Sequence, residues 1–239
     1  MKKIKVLIVF VVVLFSCDEE IKPLTFKTNE ISKAFDAEIT VILTKATTDN
    51  NISNAINTTI ENEIIKAISD SKNIKTLDEA LSTFNTEFVN FKKDFPEGEQ
   101  SWSLNIESEV TYISTEIVTI ALSIYTDKGG AHGNDTISFL NFDPNTGNLF
   151  AIQDIIENTE AFKTLAEKHF KSSLKSEDSD KSNIEDFFFG EPFQLPKNIG
   201  FTDDGLVLLY NVYEIASYDQ GYTEFVIPFS NAKPYLKVN

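Results

Sequence analysis

Arginine is absent from the chain: all 21 basic residues are lysine, set against 37 acids, for a formal net charge of −16 over 239 residues. The planar guanidinium fork that recognises phosphate or carboxylate in two-point fashion is therefore missing. With acid in such excess there is no counterion release to drive nucleic-acid binding, and that class of partner is excluded. Cysteine is nearly as scarce. A single Cys17 excludes an internal disulfide and any cysteine-rich zinc module. The two histidines, His132 and His169, lie too far apart for metal-ligand spacing, so no metal and no cofactor are expected. No Gly-x-Ser-x-Gly elbow is present, so no nucleophilic triad can be read from the sequence.

What is present points first to an address. Lys2, Lys3 and Lys5 precede an unbroken apolar run from Val6 to Phe15, and Leu14-Phe15-Ser16-Cys17 leads into Asp18-Glu19-Glu20. A basic start, a short greasy stretch and a small residue before the cleavage point make a secretory signal. The run is too short to span a bilayer permanently. Leu14, Ser16 and Cys17 resemble a bacterial lipobox, although Phe15 is bulkier than that pattern favours. The resemblance implies cleavage before Cys17 and acylation of its sulfur, hence a membrane partner and an envelope location at the outer membrane. Losing residues 1–16 removes three lysines and no acid, so the mature net charge becomes −19. Asp18-Glu19-Glu20 reads either as a surface-export signal or as a solvated tether.

A hydrophobic content of 41% with 20 Phe fits a globular chain. Ala37–Ala46 alternates as a strand. Ile52, Ile56, Ile60, Ile64 and Ile68 form one stripe of a helix that begins at Asn50 or Asn51. Leu77, Leu81, Phe84, Phe88, Phe91 and Phe95 mark a second helix, stopped by Pro96 and Gly98 and laid on a sheet. Two strands follow over 101–125, another over 136–142, and residues 148–152 continue the sheet. A third helix covers about 159–174, and strands follow at 199–201, 206–213 and 222–228 before a short terminal helix. No regular βαβ alternation appears, which gives an α+β fold with largely antiparallel sheets. The expected organisation is a signal at 1–16, a tether at 17–24, an N-terminal α+β unit at 25–100 and a C-terminal α+β domain at 101–239.

Two loops carry the candidate chemistry. Gly129, Gly130, His132 and Asn134 belong to a glycine-rich loop leaving a strand. There His132 is a base or ligand on a flexible loop, or a polar plug in a glycine-shaped hairpin. Tyr213, Glu214, Tyr218 and Asp219 lie in a second loop, suited to protein or sugar recognition, or to sheet packing. His169 reads as a core or boundary histidine. Asp178-Ser179-Asp180 opens like a calcium loop but lacks its glycine and its final glutamate. Phe187, Phe188, Phe189 and Phe193 form either a satellite core or an exposed partner surface.

Five segments occur together in order: Gly129-Gly130-Ala131-His132-Gly133; Asn141-Phe142-Asp143 with Thr146-Gly147; Phe201-Thr202-Asp203-Asp204-Gly205-Leu206; Tyr213-Glu214-Ile215-Ala216 with Tyr218 and Gly221; and Ile227-Pro228. The combination resembles domain-of-unknown-function family 3298, the C-terminal module of lysozyme-sensing anti-sigma factors and of some peptidoglycan deacetylases, over about 100–239. Residues 25–95 resemble the deacetylase-associated domain that precedes it. The resemblance implies an extracytoplasmic α+β domain, often membrane-tethered, that in the anti-sigma factors binds lysozyme. The deacetylases' Asp/His/His metal set has no counterpart in this chain. The expected function is therefore an envelope lipoprotein binding a cationic protein such as lysozyme, or a cell-wall glycan. A peptidoglycan- or glycan-acting hydrolase with His132 as base is the alternative.

Overall fold

The computed structural model describes residues 23–48, 51–176 and 187–238. The signal segment, Cys17 and the Asp178-Ser179-Asp180 stretch lie outside them.

Five strands form the first sheet: β1 (Phe26–Glu30), β2 (Glu38–Ala46), β3 (Ser103–Ile113), β4 (Val118–Asp127) and β5 (Asn134–Phe142), in that spatial order. All neighbours are antiparallel except β2 and β3, which run parallel. Between those two strands the chain makes two helices, α1 (Asn51–Ile68) and α2 (Leu77–Asp94). The parallel pair Val41 and Ile106 sits deep in the core that the helices share with the sheet. The sheet thus runs across residue 100, because β2 before it is hydrogen-bonded to β3 after it.

The helices form for the reasons legible in their spacing. Ile56, Ile60 and Ile64 of α1 are fully buried. Thr76 caps α2 reciprocally: its Oγ1 accepts from the Glu79 N–H at 3.2 Å, and the Glu79 carboxylate accepts from the Thr76 N–H at 3.1 Å. Leu77, Leu81, Phe84 and Phe88 are buried along α2, and Trp102 packs against Phe84 and Phe88. Phe95 departs from the expected seam. It stands at the C-cap, 58% exposed.

A second sheet contains β6 (Asn198–Thr202), β7 (Gly205–Tyr210) and β8 (Thr223–Pro228), antiparallel throughout. The short α3 (Ile152–Ile155), α4 (Thr159–Ser176) and the terminal turn α5 (Phe229–Ala232) complete this half. Phe162, Ala166 and Phe170 of α4 enter a core with Phe201, Leu208, Tyr210, Phe225 and Ile227. Phe187, Phe188 and Phe193 join them, whereas Phe189 is 69% exposed. Positive φ at Phe188 and Phe189 (61° and 52°) turns the chain so that the Phe189 ring leaves the core its neighbours enter. His169 is half-buried on α4, and desolvation, followed by the charge of Lys168, lowers its pKa. Residues 148–152 do not extend the sheet: a lone bridge joins Leu149 to Phe142 before α3 begins.

Asparagine side chains join the two halves. Outward backbone groups of β5 would form a bare sheet edge, and amides occupy them. Asn211 Oδ1 accepts from the Ile137 N–H at 2.8 Å, and Asn198 Oδ1 accepts from the Phe139 N–H at 2.7 Å. Buried Asn141 accepts from the Thr119 hydroxyl and donates to the Ile199 carbonyl, each at 2.7 Å. β6 approaches so closely that a Cβ on Gly200 would stand 2.3 Å from the Phe139 ring.

Candidate functional site

The β4–β5 hairpin and the loop from Asn211 to Gly221 meet at this junction. Asp127 starts the hairpin turn by accepting from the Gly129 N–H at 2.7 Å. Gly129 then takes φ +76°, a conformation that costs glycine little. Gly133 is required for a different reason. A Cβ there would fall 2.4 Å from the Tyr125 hydroxyl and the ring carbon that bears it, so Tyr125 fills the space a side chain would need.

Beyond that point His132 is exposed and held from both ring nitrogens. Nδ1 lies 3.1 Å from the Gly133 carbonyl, and Nε2 lies 3.2 Å from the Tyr213 hydroxyl. Its ring stacks on Tyr218 at 3.9 Å and 22°. Tyr213 is 5.5 Å from Tyr218, completing a three-ring cluster. Tyr213 reaches it through a strained backbone, φ +68°, and its side chain remains 54% exposed, while Tyr218 is 39% exposed. The Tyr218 hydroxyl donates to the Gly133 carbonyl at 3.4 Å.

Behind the cluster the phenols are poor acids. Desolvation raises the pKa of Tyr125, reinforced by Asp127. Tyr222 is raised further, by desolvation and then by the adjacent Asp135 carboxylate. On its other side His132 borders an open cleft of about 420 Å³ whose walls include Asp70, Lys128, Gly130 and Asn134.

The structure therefore brings His132, Tyr213 and Tyr218 into contact and sets Gly130 and Asn134 along the same cleft. Other candidate residues face elsewhere. Gly129 packs against Gln100 on the opposite side of the hairpin. Glu214 turns back onto its own loop, its carboxylate accepting from the Asn211 N–H at 2.9 Å. Asp219 accepts from the Ser217 hydroxyl. No carboxylate is hydrogen-bonded to His132 among the described residues. Nor do three or more His, Cys, Asp or Glu side chains gather there into a metal-binding group. Tyr125 escapes sequence reasoning because it sits inside a strand pattern, where a tyrosine reads as ordinary sheet packing.

Comparison with known proteins follows the two halves. Residues 142–230 match the family model "Protein of unknown function (DUF3298)". Residues 27–135 match the model "Deacetylase PdaC". The first-sheet half is thus PdaC-like and the second half DUF3298-like, and the His132 hairpin falls within the PdaC-like match. A crystal structure of a DUF3298 family member from Bacteroides fragilis superposes with a TM-score of 0.69 at 20% identity, covering 89% of this chain and 93% of that one. A DUF3298 family protein from Pseudomonas aeruginosa gives 0.64 at 20% identity, covering 91% and 96%. At that identity the likeness concerns the fold. No curated protein matches the chain.

Proposed function

We propose that the protein is a non-enzymatic, lipid-anchored binding protein of the cell envelope that docks a cationic protein, lysozyme-like in charge, on the His132–Tyr213–Tyr218 face. The carrying observation is the exposed three-ring cluster, pinned by hydrogen bonds and by a strained Tyr213 backbone. Preorganised tyrosines are frequent anchors of protein interfaces, since they bury much area at little entropic cost. A mature chain charged at −19 steers a cationic partner toward such an anchor and repels anionic ones. The pairing of PdaC-like and DUF3298-like halves indicates cell-envelope association. The lipobox-like Leu14-Phe15-Ser16-Cys17 supports anchoring through Cys17.

The hydrolase alternative has weaker support. A general base needs a ring nitrogen within reach of the proton it takes, and in the triad arrangement a carboxylate orients the imidazole and stabilises its charged form. Both nitrogens of His132 are engaged by uncharged groups, and Glu214 and Asp219 serve their own loop.

The test is a calorimetric titration of the protein lacking residues 1–16 with hen lysozyme at low and high salt. Binding weakens as salt rises, and Tyr218→Ala weakens it about tenfold at low salt. Absence of binding at low salt refutes the cationic-protein reading. A saturable response to a cell-wall glycan at this face would replace it with the glycan reading.

A further inference from the structure

Across the β4–β5 hairpin from His132 lies a second hollow of about 620 Å³, where α2 ends. Two rings, Phe91 and Phe95, line it, and Trp102 lies behind them in the core. Trp102 is 92% buried, Phe91 lies 5.4 Å from it, and the exposed Phe95 lies 5.1 Å from Phe91. A helix whose Leu77, Leu81, Phe84 and Phe88 all enter the core ends by presenting a phenyl ring to water beside an open space.

The second observation concerns hydrogen bonding. Trp102 Nε1 is shut off from solvent and has no hydrogen-bond partner. It lies 3.8 Å from the place a Cβ on Gly129 would occupy, and Gly129 is part of the hollow's wall. Among these rings there is therefore an indole donor without an acceptor, behind a stretch of wall with no side chain. Gln100, which is exposed, lies against the same glycine.

The rim sets the charge of what fits. Asp94 and Glu97 line it together with Gln100. Lys128, also in the wall, is already paired with Glu87 at 2.9 Å and lies over the Trp102 ring at 5.2 Å, and Lys92 donates to the Gly98 carbonyl at 2.5 Å. Such a rim repels an anionic ligand and accepts hydrogen bonds from hydroxyl and amide groups. An apolar ring face to lie on Phe95, hydroxyls for the rim and an oxygen for the indole N–H are together the attributes of a pyranose.

We propose that this hollow is a saccharide site for an uncharged sugar chain, separate from the protein-docking face at Tyr218. Phe95 is the stacking platform, Asp94 accepts from hydroxyls, Gln100 accepts from or donates to them, and Trp102 Nε1 donates past Gly129.

Trp102 is the only tryptophan in the chain, so its emission reports this hollow alone. The protein lacking residues 1–16 is titrated with chitotetraose, cellotetraose and a galacturonic acid tetramer, with excitation selective for tryptophan. The expected result is a saturable change in Trp102 emission with at least one uncharged tetramer, at least fivefold weaker with the acidic one. Phe95→Ala abolishes the change with an unaltered melting temperature, and Phe95→Tyr retains it. No saturable response to either uncharged tetramer overturns the proposal. So does a response that survives Phe95→Ala. These sugars carry no positive charge and the readout is remote from Tyr218, so failure here leaves the lysozyme titration unaffected, and the converse holds.

Discussion

The imidazole of His132 lies 3.9 Å above the ring of Tyr218, nearly parallel to it, although His132 closes a hairpin of the first sheet and Tyr218 belongs to a loop of the second half. The stack is thus formed between the PdaC-like and DUF3298-like halves, and neither half alone contains it. Any substitution that shifts the hairpin should alter the binding face before it unfolds the protein.

Gly133→Ala is the sharpest such substitution. The new methyl would collide with Tyr125 and force either that ring or the hairpin to move. The expected loss is about 1–3 kcal/mol of stability, as for other overpacking changes. Loss of lysozyme binding should accompany it, because Tyr218 bonds to the Gly133 carbonyl. Thermal unfolding and titration of the same sample check both; unchanged binding would show that the hairpin does not position the rings.

Asn141→Ala should weaken the union of the halves. It strands the Thr119 hydroxyl and the Ile199 carbonyl in a buried setting. An expected cost of about 2 kcal/mol corresponds to a melting point lower by roughly 4–8 °C for a chain of this size. Differential scanning calorimetry measures it, and a shift under one degree contradicts the bridging role.

Alkaline pH should destabilise the fold through three phenols. Burial raises Tyr210, Tyr222 and Tyr125 above the ordinary value of 10.0, with Glu214, Asp135 and Asp127 respectively reinforcing the shift. Above pH 10 the unfolded chain loses these protons while the folded chain keeps them. Stability from these groups is therefore intact below pH 10 and falls as pH rises beyond it. Tyrosinate absorbance should show a late-titrating group among the seven tyrosines. One uniform step near pH 10 in the folded protein would contradict the burial.

Cys17→Ser should move the full-length protein from the membrane fraction to the soluble or unprocessed pool and abolish palmitate labelling. Two or more acyl chains are needed for stable anchoring, so the change in partition should be nearly complete. Membrane retention of the variant would mean that the apolar run from Val6 to Phe15 anchors the chain uncleaved.

Much of the secondary structure was legible because it is local. The isoleucine stripe of α1 and the Leu77–Phe88 seam of α2 depend on neighbours within four positions, and the structure places them as the spacing implies. β1 escaped notice because only Phe26 of its five residues leaves full exposure, so no alternation marks it. The expected strand at 148–152 misled because Leu149 is apolar yet 44% exposed. Residue 100 lies in the sequence between β2 and β3, and the parallel pairing of these two strands is something no local pattern encodes.

The sequence by itself determined the absence of arginine and the strong acidity, hence the class of partner the chain repels, and the α+β mixture of its elements. It also picked out His132, Tyr213 and Tyr218 as separate candidates. Only the tertiary structure decided that these three touch, that Glu214 and Asp219 bond within their own loop, and that Phe95 alone of its seam faces water beside an unpartnered Trp102 N–H. The reason is physical. Charge and periodicity are properties of short stretches of chain, whereas a ring stack or a hollow depends on how two sheets pack, and that is fixed by contacts between residues far apart in sequence.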